Sequence, residues 1–193
     1  KYLQTLRQLR LLNREVPITA SNQKSKRSHY RVDDEFLRFW FRYVEPNRSS
    51  IEEAPAMVFE GTIEPDLPTH VSTTFEAICT EAVWELIRRG EFDSYSAVGR
   101  WWYGEEEIDI VGLAPADDRL LLAECKWTNE PVSHGLVEDL RSKADSVRWG
   151  PSDRSERFAL FSRSGFVDGL AEDLDDNWSL FDLADIEHIF NDV

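Results

Sequence analysis

Cysteine is nearly absent: the 193 residues hold two, Cys79 and Cys125. Two cysteines cannot build a disulfide scaffold, and their separation lacks the short paired spacing of a zinc site. The expectation is a reduced, cytoplasmic protein in which both thiols act as small core hydrophobes. Methionine occurs once, at Met57, and the chain opens on Lys1 directly in a helical pattern. That start reads as an excised or processed piece. None of the nine glycines is followed by Lys, so the chain holds no P-loop and is not by itself a P-loop ATPase. No stretch approaches the roughly 18–20 apolar residues that span a bilayer, and no signal peptide opens the chain. Internal repeats and low-complexity tracts are missing as well.

What is present describes a globular chain. Apolar residues make up 41% and aromatics 12%, enough to build a core of ordinary size in a single domain with a small appendage. The formal charge is −15, unevenly spread. Residues 1–48 carry a net +6 and residues 49–193 a net −21. Such asymmetry implies that the two ends meet different partners. Lysine is scarce, five against 17 arginines. An acidic, Lys-poor chain looks like a protein of a salt-loving organism, whose acidic surface serves solvation and names no ligand.

The pattern along the chain predicts an α/β fold. Residues 2–13 place Leu3, Leu6, Leu9 and Leu12 at helical spacing, and Pro17 ends that helix. Residues 21–28 read as a basic turn, His29 to Val32 as a strand, and Glu35 to Val44 as a helix capped from Asp33-Asp34. Residues 1–45 therefore read as a partial winged-helix segment or as a helical arm packed on the rest. Residues 46–73, punctuated by Pro46, Pro55, Pro65 and Pro68, read as a connector. From residue 74 to 193 the pattern sharpens. A helix carries Phe75, Cys79, Val83 and Leu86 on one face and stops near Gly90. Strands follow at 95–103, 107–113 and 120–127, then a helix at 134–148 and a strand at 158–162. The tail reads as a helix at 166–174, a strand at 178–181 and a helix at 183–190.

One constellation could carry chemistry. Asp109 sits in the apolar strand Glu-Ile-Asp-Ile-Val, and Glu124-Cys125-Lys126 closes the apolar run Leu120–Ala123. Strand alternation puts Glu124 and Lys126 on one face and Cys125 on the other. A hairpin between the two strands would set Asp109 beside Glu124. Paired carboxylates repel, and a divalent cation relieves the repulsion. All-oxygen ligation suits Mg²⁺ or Mn²⁺. Glu76, on the preceding helix, could supply a third carboxylate. His29, His70, His134 and His188 show no ligand spacing. Trp101, Trp102 and Trp127 read as core or sheet-face residues rather than base-stacking platforms.

Asp, a short hairpin and then Glu-x-Lys, in α-β-β-β-α-β order over residues 74–163, resembles the PD-(D/E)XK nuclease superfamily. The likeness is to the branch with an extra Glu on the first helix, as in archaeal Holliday-junction resolvases and restriction-like endonucleases. It implies a restriction-endonuclease-like mixed sheet flanked by helices. Asp109 and Glu124 would be metal ligands, Lys126 the catalytic lysine and Glu76 an auxiliary ligand. Lys143 lies on the next helix, where related nucleases place a basic residue. Ile108 stands where the superfamily often has Pro.

A wider resemblance rests on Arg14-Glu15-Val16-Pro17-Ile18-Thr19, Tyr30-Arg31-Val32, Phe36–Arg42, Phe75-Glu76, Trp101-Trp102, Glu107–Ile110 and Glu124–Trp127. These look like the C-terminal region of archaeal AAA/STAND-like P-loop ATPases, a domain without assigned function. That resemblance implies an N-terminal ATPase module absent from this chain and makes residues 1–45 the tail of a winged helix. Lys24, Lys26, Arg27 and Arg31 would then contact DNA phosphates or the ATPase module. The expected function is a Mg²⁺- or Mn²⁺-dependent DNA endonuclease. The alternatives are a cleavage-dead module that binds DNA or protein for the ATPase, and a homo-oligomerisation domain.

Overall fold

The fold was analysed in a computed structural model, which describes residues 2–20 and 27–191. In chain order the elements begin with α1 (Tyr2–Gln8), β1 (Leu12–Glu15), β2 (His29–Val32) and α2 (Glu35–Phe39). They continue with α3 (Arg48–Glu53), α4 (Pro55–Val58) and the long α5 (Glu64–Arg89). The sheet region follows as β3 (Ala97–Tyr103), β4 (Glu106–Ala114), β5 (Arg119–Lys126), α6 (His134–Ser146), β6 (Ser155–Ser162), β7 (Trp178–Phe181) and α7 (Leu183–Asn191).

The architecture is α/β. Five strands form one mixed sheet in the order β3-β4-β5-β6-β7. The first three are antiparallel, and β6 and β7 join in parallel. The parallel half requires crossovers, supplied by α6 between β5 and β6 and by the turn-rich 163–177 segment between β6 and β7. Central β5 is buried on both faces, which is why its sequence is a nearly continuous apolar run. Alternation sorts its side chains. Leu121, Ala123 and Cys125 join Phe75, Cys79, Val83 and Leu86 of α5 in one core, with Ile186 and Ile189 of α7. Leu120 and Leu122 face Val137, Leu140 and Ala144 of α6 in a second core. Gly112 permits close packing on the α5 side. A Cβ there would lie 3.0 Å from the Tyr95 ring and 3.1 Å from Leu121 Cβ.

Three stretches differ from the sequence expectation. The first helix ends at Gln8, since Arg10 takes a left-handed φ of 58°. Leu12–Glu15 then pairs antiparallel with His29–Val32, so the predicted 2–13 helix is a helix and a strand. The stretch read as a connector is helical. Pro46, Pro55 and Pro65 each stand within the first two positions of a helical element, where proline's fixed φ fits. α5 therefore starts ten residues before the expected position and carries Pro68 within it. Finally, 166–174 forms turns rather than a helix. Phe166 makes a parallel bridge with Val132, and Gly169 has φ 81°.

Candidate active site

The site forms where β4 and β5 part. Their pairing runs from Ala114↔Arg119 to Ile110↔Ala123 and goes no further. The next residues, Asp109 and Glu124, lie at the mouth of the split. On its other side β4 pairs Val111 with Gly99 and Ile108 with Trp101. Two residues of β4, Asp109 and Ile110, therefore stand opposite the single residue Arg100. This β-bulge re-aims Asp109. Ile108 packs in the α6 core and Ile110 in the α5 core, so the simple alternation is broken at Asp109.

Asp109 substitutes its side chain for the lost ladder bond. The Cys125 N–H donates to Asp109 Oδ2 at 2.9 Å. Its other oxygen, Oδ1, lies 3.9 Å from Arg100 Nη2. Burial, the nearby Glu124 charge and the nearby Glu76 charge push the Asp109 carboxyl up to about 7. The Cys125 N–H and Lys126 oppose that rise only in part.

Glu124, 2% exposed, takes an ammonium on each oxygen. Lys126 Nζ donates to Oε2 at 3.0 Å and Lys143 Nζ to Oε1 at 2.9 Å. Lys143 also reaches Asp139 at 2.8 Å. Burial works against the Lys126 ammonium, but Glu124 and then Asp109 outweigh it and raise its pKa. Burial works against the Lys143 ammonium too, but Asp139 and Glu124 outweigh it and raise its pKa.

Glu76 reaches the site from α5. Its Oε2 lies 3.2 Å from Arg100 Nη1, yet off hydrogen-bond geometry, so this buried oxygen has no hydrogen-bond partner. Burial raises its pKa against the pull of Arg100 and Arg31. Arg100 thus stands between Glu76, Asp109 and Glu107, the last at 3.4 Å. The sequence reading did not single out Arg100. Its only signal was a lone Arg in the apolar strand Ala97–Tyr103, and the bulge opposite it leaves no mark in the sequence.

Glu76, Asp109 and Arg100 open onto a cavity of about 530 Å³ whose far wall is the N-terminal β1–β2 segment. Arg31 lines that cavity; its Nη2 donates to Thr73 O at 3.0 Å, and Nη1 lies 3.8 Å from Glu15. Arg27 sits over the Tyr103 ring, 5.4 Å from its centroid. Lys24 and Lys26 fall outside the described residues.

The donor set suits a hard divalent cation. Glu76 offers a buried oxygen without a hydrogen bond and Asp109 its Oδ1, the oxygen not engaged by Cys125, and the repulsion between the two carboxylates favours a cation. Glu124 would join by releasing Lys126 or Lys143. Among the described residues, no three His, Cys, Asp or Glu side chains already converge as a metal site. Trp101, Cys79 and Cys125 are buried and Trp127 packs on Phe75, so these side chains are packing residues.

The fold and site define an α/β protein with a buried carboxylate–lysine cluster at a strand divergence. The chain belongs to the DUF234 family, archaeal and bacterial proteins of unknown function, whose profile matches residues 40–142. It is 36% identical over 165 residues to the uncharacterized protein MJECL04 of Methanocaldococcus jannaschii. That match covers 84% of this chain and 36% of the relative, so the chain spans about a third of that protein's length. No solved structure matches the chain. No helix among the described residues is long and apolar enough to cross a membrane.

Proposed function

We propose that this protein is a Mg²⁺- or Mn²⁺-dependent DNA nuclease acting through Asp109, Glu124 and Lys126, with Glu76 as an auxiliary ligand. The observation that carries this reading is the seating of Asp109 at the β4–β5 split beside Glu124 and Lys126, with its carboxyl pushed up to about 7. A carboxylate so destabilised by burial and like charge gains most from a cation. When bound, the cation supplies Lewis-acid polarisation of a phosphoryl oxygen and lowers the pKa of water. Asp109 and Glu124 would hold it, with Glu76 as the auxiliary ligand. Lys126, released from Glu124, would orient the attacking water or neutralise charge developing on the phosphate. Lys143 would hold Glu124 through Oε1 while Lys126 moves.

The proposed context is a longer cytoplasmic protein, in which an ATPase module precedes this chain and β1–β2 forms the wing of a winged helix. The greater length of the relative and the resemblance to ATPase C-terminal regions support it.

A second reading is a cleavage-dead module that binds DNA or a protein and regulates the ATPase. It is favoured by the cations already in place, since Lys126, Lys143 and Arg100 balance the same carboxylates a metal would serve. The test is cleavage of single-stranded, duplex and branched DNA with Mg²⁺ or Mn²⁺. Asp109→Ala, Glu124→Ala and Lys126→Ala should each reduce the rate by at least about a hundredfold with the fold intact. Undiminished cleavage by all three rejects the assignment. DNA binding without cleavage by the wild type selects the second reading.

A further inference from the structure

The cavity beside the sheet edge is acidic despite its arginines. Four carboxylates line it, Glu15, Glu76, Glu81 and Asp109, against three arginines. That balance favours a cation entering from solvent over an anion. Arg31 is held on the N-terminal wall, by Thr73 O at 3.0 Å and Glu15 at 3.8 Å. Arg100 stands at the carboxylates themselves. Its Nη1 lies 3.2 Å from Glu76 Oε2 and its Nη2 lies 3.9 Å from Asp109 Oδ1. These are the two oxygens left for a metal, since Oε2 has no hydrogen bond and the Cys125 N–H takes Asp109 Oδ2.

Arg100 is loosely held in that inner position. Neither contact is a hydrogen bond. Its side-chain hydrogen bond runs outward, from Nη2 to Oε2 of the exposed Glu107, and at 3.4 Å it is long. The Arg100 backbone, by contrast, is fixed. Its carbonyl accepts the Ile18 N–H at 2.9 Å, and β4 flanks it on the other side. The guanidinium can therefore pass between inner and outer carboxylates by side-chain torsions alone. A guanidinium spreads one charge over a planar fork, whereas Mg²⁺ or Mn²⁺ places two charges in direct contact with oxygens. The divalent ion is the stronger partner for the inner pair.

We infer that Arg100 is the built-in counter-cation of the metal seat. Without a divalent cation its guanidinium lies inward, on Glu76 and Asp109. When the ion binds, the guanidinium turns outward onto Glu107. Arg100 thereby sets the metal concentration at which the site fills. The inference rests on the metal seat of the nuclease reading and adds its regulation.

Mn²⁺ affinity, read by calorimetric titration at a fixed alkaline pH where carboxylates are ionised, tests the exchange. Arg100→Gln should bind Mn²⁺ at least about tenfold more tightly than the wild type, because a unit charge about 4 Å from the ion no longer opposes it. Arg100→Lys keeps a cation and should stay within about threefold of the wild type. Glu107→Gln separates exchange from plain charge. It removes the outer partner and should weaken Mn²⁺ binding about threefold or more, the scale of an exposed ion pair. In a double-mutant cycle, that loss should be at least about threefold larger with Arg100 present than in the Arg100→Gln background.

Equal affinity of wild type and Arg100→Gln overturns the inference and leaves the nuclease reading standing. Equal losses from Glu107→Gln in both backgrounds overturn the exchange. Should Arg100→Gln not fold, an unchanged affinity in Glu107→Gln alone overturns it as well. The expected affinities without cleavage of any DNA would count against the nuclease reading and leave the role of Arg100 intact.

Discussion

Asp109 concentrates the conflict in this molecule. It is 8% exposed, beside two other acids, and satisfied by one backbone N–H. Its folded pKa, about 7, lies above the ordinary aspartate value. Between these two values the native state holds a proton that the unfolded state has lost. Stability therefore falls as pH rises from about 4 to about 7, then levels off. Asn at this position can still accept the Cys125 N–H but carries no charge. Asp109→Asn should be more stable than wild type at about pH 8, with the gap narrowing toward pH 4. Urea unfolding across that range measures it, and a pH-independent gap contradicts the assignment of the shift. At this scale the sequence was informative wherever strand alternation applied. Asp109, Glu124 and Lys126 interrupt apolar runs at positions where a charge needs a partner. Arg100 was not legible, because its importance comes from the bulge opposite it. Lys143 was visible only as a basic residue on the next helix, whereas the fold puts it on Glu124 Oε1.

Among the elements, α6 has an uncommon support. Its C-terminal carbonyls are gathered by one guanidinium: Arg154 donates to Ala144 O at 2.9 Å, and to Val147 O and Trp149 O at 2.6 Å each. A cation there also complements the helix dipole. Arg154→Ala should cost about 2–4 kcal/mol in urea unfolding, since it strands partly buried carbonyls. Because Lys143 lies in the last turn of α6, the same variant should loosen its hold on Glu124. A loss below about 0.5 kcal/mol would show that the helix end does not need Arg154. The strand and helix order from α5 to β6 was readable from periodicity, as amphipathic helices flank strands rich in apolar residues. The misread stretches share one cause, local signals overridden by context. First-turn prolines resembled linker prolines, and Leu12 fitted a helical stripe although the chain turns at Arg10 to pair with β2.

On the scale of the whole molecule, −15 charges on 193 residues repel one another in the folded state. Salt screens that repulsion over roughly 10 Å at about 0.1 M and roughly 3 Å at about 1 M. The Tm should therefore rise by about 5 °C or more between about 0.1 M and about 2 M KCl. A falling Tm would show that the ion-pair networks matter more than the net charge. The positive N-terminal portion folds against the acidic remainder, with Arg31 and Arg100 at their junction. The carboxylates that face this junction are the proposed seat of a divalent cation. Isothermal titration of Mn²⁺ into the protein tests that most directly. The account predicts binding at about pH 8 that weakens as pH falls through about 7, where Asp109 gains its proton, and that disappears in Asp109→Ala. Absence of binding at about pH 8, or equal binding by Asp109→Ala, would contradict it.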